Sequence, residues 1–286
     1  MKVGIFYAYW VNDWNVDFHP FIDKAADLGF DVLEVNAGAV AEMTSAERRS
    51  LKAHAEQAAL DLSFVVGLQH QYDIASPDKA VRANGIRYLQ EMARAVGEIG
   101  GGPVGGIIYG AWPATMPAGK VDKRPYWEHS VRSMREAIKA AEDNDVTFNM
   151  EVVNRFEQYL INTCQEAVEY VNAVDSPAAK VMLDTFHINI EETSFADAIL
   201  TARNLLGHFH VGEQNRMPPG TGRIPWTEIA AALRDVAYRG YVVMEPFLMP
   251  GGEIGRDIKV FRDLSVGRDL DAEAYKALLF LRGVLK

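Results

Sequence analysis

The chain has 286 residues, 49% of them hydrophobic and 24% charged, a composition that suits a packed globular protein and excludes a largely disordered one. Its length suits one large domain, and an α/β barrel takes about 250 residues. With 39 acidic against 29 basic residues, a formal net charge of −10, the excess of acid weakens the case for nucleic-acid binding, which relies on neutralising phosphates.

Short β-rich runs alternate with helical stretches from one end to the other. The first run, residues 3–7, precedes a helix over about 18–28 that Gly29 can end as a C′ residue. A second run at 32–35 leads to a helix opened by Thr44, with Glu47 completing a capping-box pattern. The third strand is expected at 62–66, and Ser76-Pro77 then starts a long helix with a cap residue and a proline at N1. Four residues at 100–103, GGGP, break that helix before a fourth strand at 104–109 and a helix over about 126–144. The fifth strand, 147–152, is followed by a second capping box, Thr163 with Glu166. The sixth strand is expected at 180–184, with a helix opening at Ser194, and the seventh at 205–211, with a helix over 226–236. The eighth, 241–245, leaves a last helix at about 272–285.

Eight β/α pairs at a spacing of about 30 residues indicate parallel strands joined by crossover helices. Eight is the number that closes a (β/α)8 TIM barrel. No linker or charge block divides residues 1–286, so a single barrel domain is expected, with a doubly wound open sheet as the competing arrangement. The glycines at 100–106 lie between a helix and a strand, the wrong context for a dinucleotide fingerprint. They read as turn residues. Cys164 is the only cysteine, which excludes an intrachain disulfide and a thiolate zinc cluster. No apolar run reaches the roughly 18 residues of a membrane span, and the opening MKVGIFYAYW lacks the pattern of a secretory signal. A cytoplasmic protein with a small-molecule partner is expected, with neither membrane nor nucleic acid involved.

Polar residues close the second half of the barrel in a pattern that packing does not explain. Glu151 ends FNME, Asp184 ends KVMLD, His210 ends HFH and Glu245 ends YVVME. Each sits at or next to the end of an apolar strand, and in a barrel such ends converge on one mouth. Any one carboxylate could simply cap the next helix. Three carboxylates and an imidazole aimed at one point repel each other or bear desolvation unless a cation sits among them. The oxygen-rich donor set favours one divalent ion of the Mn²⁺, Co²⁺ or Mg²⁺ type over structural Zn²⁺. His208, two residues before His210, faces the same side and is read as a hydrogen-bonded interior histidine. Asp17, Asp31 and Asp73 are read as caps.

A divalent ion with open positions can hold a hydroxy-ketone, polarise its carbonyl and stabilise an enediolate. Inverting the neighbouring carbon needs a proton to leave one face and another to arrive on the opposite face. Glu151 and Glu245, on strands five and eight, suit such a two-face exchange. Glu157, His187 and Arg216 follow the ligand strands closely and could bind sugar-like oxygens; loop salt bridges and caps explain them equally well. Trp112 and Phe6 could form an apolar wall or belong to the core, and Trp14 and Phe247 are weaker candidates of the same type.

With these residues in view, the sequence resembles the D-tagatose 3-epimerase / D-psicose (allulose) 3-epimerase family of sugar isomerase/epimerase TIM barrels. The matching stretches include GIFYAYW at 4–10, YDIASPDKAVR at 72–82, AWP at 111–113 and DKRPYW at 122–127. They continue with EVVNRFEQYL at 151–160, VDSPAAKVMLDTFHINIEE at 174–192, GHFHVGEQNRMPPGTGRIPW at 207–226 and VVMEPF at 242–247. The resemblance implies that Glu151, Asp184, His210 and Glu245 bind the metal and that Glu151 and Glu245 are the acid/base pair at C3, working through a cis-enediolate. It implies Glu157, His187 and Arg216 around O1–O3 of a free ketose, and Phe6 and Trp112 against its C4–C6 end. It also implies Mn²⁺ or Co²⁺ use and a homodimer or homotetramer. Phe6 stands where psicose-type members often carry tyrosine, which leans toward the tagatose-type branch. The competing readings are an aldose–ketose or hydroxypyruvate isomerase, a DNA-repair endonuclease of similar architecture, for which the acidic charge is wrong, and a non-catalytic sugar-binding barrel.

Overall fold

A computed structural model describes all 286 residues. Eight parallel strands pair in chain order: β1 (Lys2–Phe6), β2 (Val32–Asn36), β3 (Asp61–Val65), β4 (Gly102–Gly106), β5 (Val146–Glu151), β6 (Ala179–Asp184), β7 (Leu206–Val211) and β8 (Tyr241–Met244). The sheet closes where β1 meets β8, with Val3 opposite Val242 and Ile5 opposite Met244. The closed barrel of eight strands is the architecture that the sequence predicts, and the open sheet is excluded.

Eleven helices connect these strands. The first six are α1 (His19–Leu28), α2 (Ala37–Glu42), α3 (Ser45–Gln57), α4 (Lys79–Ile99), α5 (Arg124–Glu142) and α6 (Cys164–Val174). The rest are α7 (Thr185–Glu191), α8 (Phe195–Ala202), α9 (Trp226–Asp235), α10 (Gly252–Asp257) and α11 (Leu270–Val284). Helix α5 shows why they pack as they do: Val131, Met134, Ala137, Ile138 and Ala141 recur every three or four residues and are buried together. Both capping boxes form, Thr44 with Glu47 at α3 and Thr163 with Glu166 at α6, and Ser194 caps α8. Gly29 ends α1 at φ +88°, the left-handed position for which glycine is suited.

Three expectations shift. Helix α4 is capped by Asp78, whose side chain accepts from Ala80 N at 2.7 Å, while Ser76 closes a turn just ahead of it. Strand β4 ends at Gly106 instead of running to 109, because Gly106 adopts φ +104° and the backbone turns out of the sheet. A Cβ at Gly106 would stand 2.3 Å from Val66 O, so only glycine fits. Helices α2, α7 and α10 are additional short turns on the side where the strands end. No helix is long and apolar enough to cross a membrane.

The barrel interior is not wholly apolar. Glu34 on β2, Ser63 on β3 and His208 and His210 on β7 are all fully buried; Ser63 hydrogen-bonds Glu34 from the neighbouring strand, and both histidines reach Glu34 across the barrel. Gly105 on β4 makes room beside them, since a Cβ there would lie 2.5 Å from Met182 Sδ. This polar layer lies directly below the mouth.

Candidate active site

The strand ends deliver the expected residues to one place. Glu151 is the last residue of β5, Asp184 the last of β6, His210 the second-last of β7, and Glu245 follows β8 directly. Asp184 and His210 are direct cross-strand partners, so their side chains share a face. Donor atoms of Asp184, His210 and Glu245 lie within 4.8 Å of one another, and so do those of Glu151, Asp184 and His187. Asp184 belongs to both groups, with Glu151 to one side around the barrel and Glu245 to the other.

Asp184 shows how the capping and site readings coexist. Its Oδ1 accepts from Phe186 N at 2.9 Å and caps α7. Its Oδ2 is buried and has no hydrogen-bond partner, and the same is true of His210 Nδ1. Buried polar atoms are rarely left unpaired, because each such vacancy costs about 1–3 kcal/mol. An oxygen lone pair and an imidazole nitrogen left bare side by side, with two more carboxylates adjacent, suit a hard divalent cation. The residues present fit such an ion.

A cavity of about 570 Å³ opens above these atoms, lined by Glu151, Glu157, His187, Arg216 and Glu245 among others, with Phe6, Trp14, Trp112 and Phe247 as its aromatic walls. Glu157 is oriented by two donors, Trp112 Nε1 at 3.0 Å and Asn154 Nδ2 at 2.9 Å. His187 Nδ1 accepts from the backbone N–H of Asn154 at 3.1 Å. The neutral ring therefore carries its proton on Nε2, which lies 3.7 Å from Asp184 Oδ2 and 3.9 Å from Glu151 Oε1. Trp112 is thus more than wall: its indole N–H fixes a site carboxylate.

Arg216 stands in the loop after β7 at φ +62°, an uncommon conformation for a side-chain-bearing residue. Its guanidinium carbon lies 4.1 Å from the centroid of the Phe186 ring and 5.2 Å from that of Phe247. Glu213 holds this loop: it is fully buried and accepts from Gly220 N at 2.7 Å, Ile224 N at 3.3 Å and Trp226 Nε1 at 3.0 Å.

The electrostatics follow from burial. Burial pushes the Glu151 carboxyl well above its ordinary range, with the Glu245 and Asp184 charges adding to the effect and His210 and Arg216 opposing it. Burial also pushes Glu157 upward, but His187, Arg216 and the two donors outweigh it and hold its carboxyl below the usual value. Burial lowers His187, favouring the neutral ring.

His208 is the interior histidine that the sequence predicts, with Nε2 2.7 Å from Glu34 Oε1. Asp17, Asp31 and Asp73 each accept a backbone N–H, from His19, Val3 and Ala75 respectively. Sequence reasoning misses Glu34, Asn154, Phe186 and Glu213. Only Glu34 leaves a trace in the sequence, as a lone acid in the middle of the apolar run VLEVN.

Residues 22–264 match the family model described as a xylose isomerase-like TIM barrel. The chain is 46% identical to the D-psicose 3-epimerase of Ruminiclostridium cellulolyticum, over 100% of this chain and 98% of the relative. It is 44% identical to the D-psicose 3-epimerase of Agrobacterium fabrum, over 100% and 99%. The chain belongs to the D-tagatose 3-epimerase / D-psicose 3-epimerase family. A crystal structure of D-psicose 3-epimerase with D-tagatose from Clostridium cellulolyticum H10 superposes with a TM-score of 0.97 at 46% identity, covering 100% of both chains. Membership in the family makes this protein an isomerase, a sugar epimerase built on a TIM barrel. Both named relatives are called after D-psicose.

Proposed function

We propose that the protein interconverts C3 epimers of free ketohexoses, the pairs D-tagatose/D-sorbose and D-fructose/D-psicose. The observation that carries this reading is the pair of unpartnered buried atoms, Asp184 Oδ2 and His210 Nδ1, with Glu151 and Glu245 on either side. Glu151, Asp184, His210 and Glu245 hold the ion, Mn²⁺ first with Co²⁺ or Mg²⁺ as alternatives. When bound, it polarises the ketose carbonyl, which acidifies the adjacent C3–H and favours a cis-enediolate.

The remaining chemistry belongs to the side chains. Glu151 and Glu245 exchange protons with C3 from opposite faces, one giving while the other takes, and their roles swap with the direction of the reaction. His187 presents Nε2–H, and Arg216 presents its guanidinium, to the oxygens at O1–O3, where charge accumulates. Glu157 accepts from a substrate hydroxyl. Phe6, Trp112 and Phe247 exclude water and pack the C4–C6 end. The same reading makes the protein a cytoplasmic homodimer or homotetramer without membrane or nucleic-acid partners.

The test is a ketose panel assayed by chromatography after chelation and refilling with single metals. Metal-dependent formation of D-psicose from D-fructose is expected. An aldose product would overturn the assignment in favour of an aldose–ketose isomerase.

A further inference from the structure

The polar layer beneath the mouth has a role beyond filling the barrel. Glu34 projects from β2 across the interior to β7, is fully buried, and has both oxygens engaged. Oε1 accepts from His208 Nε2 at 2.7 Å and from Ser63 Oγ at 3.0 Å, while Oε2 accepts from His210 Nε2. An ionised carboxylate can only accept, so the hydrogen of each neutral ring belongs on Nε2. His210 Nδ1 is then a bare lone pair on the side facing the mouth, and it has no partner.

A second carboxylate competes for that proton. Glu245 Oε2 lies 3.5 Å from His210 Nδ1. Were the ring proton on Nδ1, it would point at Glu245 and occupy the place of the cation. Glu34, at hydrogen-bonding distance on the far nitrogen, tips the choice the other way.

We infer that Glu34 is a positioning residue for the metal site: it fixes the orientation and tautomer of His210 so that Nδ1 stays free to bind a divalent cation. This rests on the metal-site reading above and adds to it a residue on β2, three strands from the β7 of His210 around the closed barrel. A carboxylate on the remote nitrogen of a ligating imidazole also makes the ligating nitrogen more basic. Ser63 touches the same carboxylate without touching His210, so it separates the positioning role from mere filling of the layer.

The experiment is calorimetric titration of Mn²⁺ into the chelated full-length protein, its Glu34→Gln variant and its Ser63→Ala variant, with folding checked by circular dichroism. Gln offers one acceptor and one donor where Glu offers two acceptors, so it cannot hold all three partners as they stand. Glu34→Gln is expected to weaken Mn²⁺ by about 10–100-fold, with Ser63→Ala within about threefold of the parent. A folded Glu34→Gln that binds Mn²⁺ as the parent does would overturn the inference. Independently of any variant, nitrogen NMR of the parent protein loaded with diamagnetic Mg²⁺ should show the His210 proton on Nε2. A proton on Nδ1 instead would overturn it as well. A parent chain that binds no divalent ion at all would defeat the metal-site reading itself, a separate outcome.

Discussion

Arg216 Nη1 lies 2.6 Å from Glu245 Oε2 and 3.6 Å from Asp184 Oδ2, so its guanidinium leans on two of the expected metal ligands. Its positive charge is held in place by aromatic rings rather than by solvent, because Phe186 and Phe247 face the guanidinium. Arg216→Ala removes this charge from a buried setting, and such truncations cost about 2–5 kcal/mol. A drop in kcat/KM of at least about 30-fold is expected, measured with D-fructose at saturating metal. Arg216→Lys should not rescue it, because an ammonium lacks the planar fork and the stacking surface. An unchanged kcat/KM in the alanine variant would remove Arg216 from the site.

Glu245→Gln keeps the shape of the side chain and removes its ability to take a proton. Turnover should fall by about 10²–10⁴, the usual contribution of a positioned acid or base. Metal content is to be measured on the same sample. A variant with normal metal content and near-parental rate would contradict the two-carboxylate exchange.

Glu151 links metal binding to pH. Because burial raises its carboxyl above the usual range, the folded metal-free chain holds that proton to a higher pH than the unfolded chain does. Its contribution to stability is therefore present in full below the ordinary carboxylate pKa and is lost as pH rises through the raised value. A cation requires the ionised form, so binding expels the proton and tightens as pH rises. Calorimetric titrations of Mn²⁺ in two buffers of different ionisation heat should show net proton release at mildly acidic pH. Identical heats in the two buffers would contradict it.

Glu213 is expected to support the site from a distance. Replacing it with alanine leaves two backbone N–H groups and the Trp226 indole N–H without their acceptor. Loss of a buried acceptor costs about 1–3 kcal/mol, and for a chain of this size each kcal/mol lowers Tm by about 2–4 °C. Gly222→Ala should act similarly, since its Cβ would stand 2.3 Å from Glu213 Oε2. Differential scanning calorimetry and kcat/KM should fall together in both variants. An unaltered Tm in Glu213→Ala would show that the loop holds itself.

The candidate ligands were legible where an apolar strand ends on or next to a polar residue, as at Glu151, Asp184, His210 and Glu245. That signal is local, because the pleat and the barrel mouth do the rest. Helix starts were legible for the same reason at Thr44 and Thr163, where the cap and its partner are three residues apart. Strand β4 was placed too late because GPVGG presents almost no side-chain pattern and its end is set by one backbone angle at Gly106. Glu34 escaped notice because its meaning lies in partners 174 and 176 residues away. Helix α7 was hidden by its cap, since Asp184 serves the helix with one oxygen and the site with the other.

The most direct measurement of the central chemistry is the position of label after turnover in deuterated water. The Mn²⁺-loaded protein is incubated with D-fructose and both sugars are read by proton and carbon NMR. Deuterium at C3 of D-psicose, with C1 unlabelled and no aldose formed, is the expected result. Deuterium at C1 together with an aldose, or epimerisation with C3 wholly unlabelled, would contradict proton exchange by Glu151 and Glu245.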